Sequence, residues 1–364
     1  MFEKIKVLVV DDSAFMRKMI SDIINSQRDM QVVSTARDGL EAIEKAKQLN
    51  PDVITLDVEM PKKNGLEALI ELKKYTNAQV IMLSSLTSEG SNITIEALQL
   101  GAFDFIQKPS GSISLDIDKI KDDIAEKIRY AYAYKNKTKK SNTKININLN
   151  NKSININQNK YNALLLGAST GGPKVLFDLI TKLPKDINIP VLVVQHMPVG
   201  FTKAFAERMN KSSNLEVVEA VDKQKIKENT VYIAPGGYHM LVVNGEIRLD
   251  LSPQIHGVRP AVDKLFISAA KYYKSGTIAA IFTGMGKDGA EGAIEVKKYG
   301  GFVIAQDEES SVVFGMPKSA IQTGCVDVVL HESDILEYIL KLLKRAWTNG
   351  IWKNWKVCSK RIWN

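Results

Sequence analysis

Ser169, His196 and Asp288 are the residues of this chain whose types and surroundings could carry out acyl transfer. Each follows an apolar run: Ser169 ends "NALLLGAS", His196 ends "IPVLVVQH", and Asp288 stands among glycines in "IAAIFTGMGKDGA". A serine, a histidine and a carboxylate at the carboxyl ends of separate parallel strands can converge as nucleophile, base and orienting group. Each has a plainer reading when taken alone. Ser169 or Thr170 could cap the helix that "GGPKVLFDLI" begins, with Pro173 in its first turn, and on that motif alone the cap is the better reading. A single histidine at a strand end is more often a packing residue. Of the four histidines, at 196, 239, 256 and 331, only His196 ends a long apolar strand, so it alone shares an edge with Ser169.

The glycines around Asp288 raise a competing possibility. Gly284, Gly286 and Gly289 satisfy G-x-G-x-x-G after an apolar run, and Asp307 ends the next one, at about the acid spacing of a dinucleotide fingerprint. A carboxylate inside such a loop would repel a pyrophosphate, and an NAD site would leave Ser169 and His196 unexplained. The glycines are better read as a tight turn that lets Asp288 face His196. The order Ser, His, Asp is not that of the α/β-hydrolases, and the chain has no G-x-S-x-G elbow.

A second chemical constellation lies near the N-terminus. The apolar runs there end at Asp11-Asp12, Asp57, Ser84-Ser85 and Lys108-Pro109. Three carboxylates on neighbouring strand ends suit Mg²⁺. A hydroxyl and an ammonium opposite can hold a phosphoryl group once a carboxylate has attacked it.

Strands alternating with helical patterns must position both sets, which implies two doubly wound parallel-sheet α/β domains. The 364 residues suit two domains, and 45% hydrophobic with 25% charged residues describe a soluble globular chain. No apolar run approaches the ~18 residues of a membrane span. Neither a signal sequence nor a cysteine framework is evident, so the expected location is the cytoplasm.

Residues 135–160, "KNKTKKSNTKININLNNKSININQNK", read as a flexible Asn/Lys-rich linker. The expected domains are therefore 1–134 and 161–344, with a basic tail at 345–364 that holds all four tryptophans. Linker and the segment from Lys341 onward carry seven cationic side chains each and no acid. Against a net charge of +8, the remainder is thus net −6, which argues against a nucleic-acid-binding face.

"VLVVDDSAFMR", "LDVEMPKKNGLEAL" and "FIQKP" resemble the receiver domain of two-component response regulators, a flavodoxin-like fold. The resemblance implies Asp57 as phosphoacceptor and a Mg²⁺ site at Asp11, Asp12 and Asp57. It also implies phosphate contacts from Lys108 and Ser84, and Phe105 as a switch aromatic. "LLGASTGGPK", "VVQHMP", "VYIAPGGYHM", "GVRPAVDKLF", "FTGMGKDGAEG" and "DEESSVVFGMPKSAI" resemble the Rossmann-like catalytic domain of the chemotaxis-specific protein-glutamate methylesterases. That implies demethylation, and deamidation of glutamines, on methyl-accepting chemoreceptors, with a chemotaxis histidine kinase as phosphodonor.

The catalytic set is then Ser169, His196 and Asp288, with no metal at the esterase site. The backbone N–H groups of Thr170 and Met285 are the nearest oxyanion donors by position. A monomer that neither binds nucleic acid nor enters a membrane is expected. The long linker and the Trp-rich tail depart from the family pattern. The competing readings are a receiver-regulated interaction module without catalysis and an NAD-binding output domain.

Overall fold

The computed structural model describes residues 4–108, 117–140 and 161–344. The first unit is a parallel sheet of β1 (Ile5–Val10), β2 (Met30–Ala36), β3 (Val53–Asp57), β4 (Gln79–Ser84) and β5 (Asp104–Gln107), in the order β2-β1-β3-β4-β5. Its helices are α1 (Ala14–Asn25), α2 (Gly39–Leu49), α3 (Gly65–Tyr75), α4 (Ser88–Gln99) and α5 (Ile117–Lys140). The central strand β3, VITLD, is buried along its whole length because helices cover both sheet faces. Ser13, Asp38, Asn64 and Thr87 cap the first four helices through their side chains. Each cap begins a helix just beyond the carboxyl edge of the sheet, which leaves the strand-end acids along that edge.

In the second unit β6 (Ala163–Ala168), α6 (Gly172–Ile180), β7 (Val191–Gln195), α7 (Phe201–Ser212), β8 (Glu216–Glu219) and β9 (Thr230–Ile233) come first. A hairpin of β10 (His239–Val243) and β11 (Glu246–Asp250) follows, then α8 (Val262–Tyr273), β12 (Thr277–Ile281) and α9 (Ala290–Lys298). The unit closes with β13 (Phe302–Gln306), α10 (Met316–Gln322), β14 (Val328–Leu330) and α11 (Glu332–Lys344). Seven strands form a parallel sheet in the order β14-β13-β12-β6-β7-β9-β8. The chain winds one way from β6 to β7 and the other way to β12, so β6 marks the point where a doubly wound sheet opens a crevice. The hairpin is antiparallel and was not foreseen from the alternating pattern. Asn244-Gly245, both at positive φ, close it.

Helix α5 runs through Lys140, six residues past the expected boundary at 134. Polar composition pointed to linker there. The helix persists because its cations find partners: Lys135 lies 2.8 Å from Asp52, and Lys137 donates to the carbonyls of Glu308 and Ser311. The remainder of the expected linker, 141–160, and the tail at 345–364 lie outside the described residues.

The two units share an apolar core. The buried cluster around Leu56, Met82 and Phe105 continues through Phe201 and Phe205, and Val313 joins Phe103 and Ile106. No helix among the described residues is long and apolar enough to cross a membrane.

Candidate active site and phosphoacceptor pocket

Ser169 directly follows β6 and His196 directly follows β7. These strands pair with Ala168 opposite Gln195, so the two residues are neighbours at the crevice. The backbone fixes them: Ser169 N donates to Thr283 O at 3.0 Å, and His196 N donates to Ala168 O at 3.1 Å. Gln195, 2% exposed, ties them together from below. Its Nε2 donates to Ser169 O at 2.9 Å and to His196 O at 3.2 Å.

Neither Ser169 nor Thr170 caps α6. That place belongs to Gly171, at φ +79° and with no side-chain capping bond. A Cβ there would lie 2.6 Å from Val312, so the tight turn after the serine needs glycine on two counts.

Asp288 reaches His196 across β6. Its Oδ2 lies 2.7 Å from His196 Nε2. The same carboxylate accepts Val262 N at 2.6 Å and Asp263 N at 2.9 Å, from the start of α8. Burial works to raise its pKa, but the imidazole and these two amides outweigh burial and hold Asp288 below the ordinary carboxylate range. A carboxylate anion accepts, so His196 Nε2 carries the donated hydrogen, and Nδ1 is the ring nitrogen that can accept a proton. Among the described residues no hydrogen bond joins Ser169 Oγ to the ring.

The glycine motif serves this arrangement. A Cβ on Gly284 would sit 2.7 Å from Ser169 Cβ and 2.3 Å from Met316 Sδ, so the absent side chain makes room for the serine. Thr170 Oγ1 lies 3.4 Å from Met285 Sδ, which brings the two segments together beside Ser169. The amides of Thr170 and Met285 donate to no acceptor among the described residues.

The acid pocket of the first unit has converged in the same way. The carboxylates of Asp11, Asp12 and Asp57 lie within 4.8 Å of one another. Lys108 Nζ stands 2.8 Å from Asp11 Oδ2 and 2.7 Å from Asp57 Oδ2. Both oxygens are buried, and this ammonium is the cation that compensates their charge. Burial and the neighbouring Asp11 push Asp57 up to about 6, against the pull of Lys108. Burial works against the Lys108 cation, but the two carboxylates prevail and hold its pKa above the ordinary value. Two buried carboxylate oxygens and an exposed third acid are a donor set that fits a hard divalent cation.

Ser84 is at the edge as expected, but its hydroxyl is engaged, accepting from Thr94 Oγ1 at 2.8 Å. Phe105 packs against Phe201 of the other unit in a tilted pair, centroids 4.5 Å apart and planes 32° apart.

The family model for the CheB methylesterase matches residues 164–339, and that for the response regulator receiver domain matches residues 7–117. A Thermotoga maritima protein named protein-glutamate methylesterase/protein-glutamine glutaminase is 51% identical over 343 residues, covering 93% of this chain and 98% of its own. A Pyrococcus horikoshii protein of the same name is 46% identical over 349 residues, covering 94% and 95%. This chain belongs to that methylesterase family. A solved Thermotoga maritima CheB methylesterase catalytic domain is 50% identical, with a TM-score of 0.48, covering 50% of this chain and 98% of its own.

In this methylesterase the receiver edge lies against the catalytic crevice. Thr170, next to the serine, donates its hydroxyl to Asp104 Oδ2 of the receiver at 2.7 Å, in a buried contact. Lys127 of α5 lies 3.3 Å from the same carboxylate and donates to Phe105 O at 2.5 Å. Arg208 of α7 reaches Gln99 at 2.5 Å and Glu96 at 3.3 Å on α4.

The other histidines are accounted for elsewhere. His239 is buried between Ala261 N and Pro253 O, and burial lowers its pKa. His331 pairs with Ser333, and His256 with Asp263. Sequence reasoning missed Gln195, Asp104 and the side-chain role of Thr170. Gln195 adjoins His196, but nothing in its type points inward. Asp104 depends on a contact between units that no local pattern encodes.

Proposed function

We propose that this protein is a phosphorylation-regulated protein-glutamate methylesterase and protein-glutamine glutaminase, acting on methylated glutamates and on glutamines of chemoreceptors. The 2.7 Å contact between His196 and Asp288, with Ser169 on the adjoining strand end, carries the reading. His196 Nδ1 takes the Ser169 proton as Oγ attacks the ester carbonyl. The amides of Thr170 and Met285, which donate to no acceptor among the described residues, receive the oxyanion. The C–O bond to the methoxy group breaks, and His196 returns the proton so that methanol leaves. Water then attacks the glutamyl ester of Ser169 with His196 again as base, releasing glutamate and the serine. With a glutamine side chain the same sequence releases ammonia. Asp288 fixes the tautomer and stabilises the imidazolium.

Residues 1–134 serve as receiver and 161–344 as catalytic domain. Asp57 accepts the phosphoryl group from a histidine kinase. Mg²⁺ held by Asp11, Asp12 and Asp57 would offset the charge of that transfer, and Lys108 and Ser84 would contact the phosphoryl oxygens. The Thr170–Asp104 bond and the Phe105–Phe201 contact support reading this packing as the closed form. Phosphorylation biases the receiver away from this packing. The enzyme is proposed to act as a monomer in the cytoplasm.

The deciding measurement is methanol release from methylated receptor by wild type and Ser169→Ala, with and without a small phosphodonor and Mg²⁺. Wild-type release that rises with phosphodonor and is lost in the variant supports the reading. Equal release by both proteins would remove Ser169 from the mechanism.

A further inference from the structure

A second buried carboxylate stands behind the triad, and no step of the reaction uses it. Asp263, 2% exposed, lies in the first turn of α8. Its Oδ1 accepts the amides of Gly289 at 2.9 Å and Gly292 at 2.7 Å, where α9 begins just after Asp288. In return, the Val262 and Asp263 amides of α8 donate to Asp288. Each helix start thus holds the acid belonging to the other, an arrangement that favours negative charge at both positions. The second oxygen of Asp263 faces His256 Nε2 at 3.3 Å.

Burial and the adjacent Asp288 push Asp263 up to about 6, whereas Asp288 is held low. A proton entering the pair therefore goes to Asp263 and leaves Asp288 an anion toward His196. The titratable groups facing Asp263 are His256 and Asp288, with His196 beyond. Lys264 turns to Asp250 at 3.7 Å and Arg259 to the Leu251 and Ser252 carbonyls, while Lys287 and Glu291 are exposed.

We propose that Asp263 is a positioning residue for the esterase: it anchors the Asp288 loop through the Gly289 and Gly292 amides and places a second negative charge behind the imidazole. The inference rests on the triad assigned above. Asparagine at 263 keeps an oxygen for the two amides but loses the charge, and alanine keeps neither.

The test compares full-length wild type with Asp263→Ala, Asp263→Asn and Asp288→Ala, in phosphodonor-stimulated methanol release from methylated receptor across pH. Asp263→Ala should lower kcat about 100-fold, as misplacement of a catalytic group does, and leave KM nearly unchanged. Asp263→Asn should recover most of kcat, with the acid limb of its kcat/KM profile moved to lower pH. Losing a negative charge disfavours the imidazolium, so the base works at lower pH. The two profiles should separate on the acid limb and converge at higher pH, where the imidazole is neutral in both proteins.

Asp263→Ala at the wild-type rate overturns the proposal, and so does an Asp263→Asn profile that superposes on wild type. If the alanine variant does not fold, the asparagine profile decides alone. Asp288→Ala at the wild-type rate would sink the triad itself. An impaired Asp288→Ala beside an unimpaired Asp263→Ala sinks only the role of Asp263.

Discussion

Asp288 is 1% exposed and still an anion, because an imidazole and two helix-start amides converge on it. In the proposed mechanism that leaves Nδ1 of His196 as the base, a choice invisible in the sequence. Asp288→Asn would keep the shape and invert the tautomer, so kcat should fall by about 10⁴-fold with the fold intact. The check is methanol release alongside an unchanged thermal transition. Gln195 donates to the carbonyls of Ser169 and His196 at once, and its own Oε1 is buried without a partner among the described residues. Replacing it with leucine should lower kcat by roughly tenfold and leave KM alone. The two carbonyls lose a donor worth about 1 kcal/mol, and the orphaned oxygen disappears with it. A KM effect instead of a kcat effect would place Gln195 in substrate binding.

At the scale of elements, strand ends were the informative places. The apolar runs ending at Asp11, Asp57, Ser169 and His196 were legible because parallel strands buried on both faces read as unbroken hydrophobic stretches that stop at the edge. The β10–β11 hairpin had its own signal in Asn244-Gly245, lost within a reading that looked only for alternation of strand and helix. Contacts between units were not legible, since Asp104 and Thr170 are 66 residues apart and neither is marked by its neighbours. That single buried bond from a hydroxyl to a carboxylate is worth about 2 kcal/mol. Removing it with Asp104→Ala should raise unstimulated methanol release by about 30-fold if closure limits access. Lys127 keeps Asp123 at 3.6 Å and the Phe105 carbonyl, so the receiver need not unfold. Unchanged basal release would show that the contact does not hold the enzyme closed.

For the molecule as a whole, the proposed regulation runs from a pocket in the receiver to the serine edge that its Asp104 contacts through Thr170. Asp57→Asn should leave basal release intact and abolish stimulation by phosphodonor, and chelating Mg²⁺ should do the same to the wild type. Stimulation that survives in the variant would move the phosphoacceptor elsewhere. The two units are also joined along α5, which continues past the receiver to the catalytic domain. Lys135 binds Asp52 on one side, and Lys137 reaches the Glu308 and Ser311 carbonyls on the other. Two residues along a helix correspond to a turn of about 200°, so the two lysines point nearly opposite ways. The angular phase of this one helix therefore lets it hold one domain on each side. Inserting a single residue into α5 ahead of Lys135 would rotate both lysines by about 100° and break this tether, leaving the shared core and the Thr170–Asp104 bond to hold the units together.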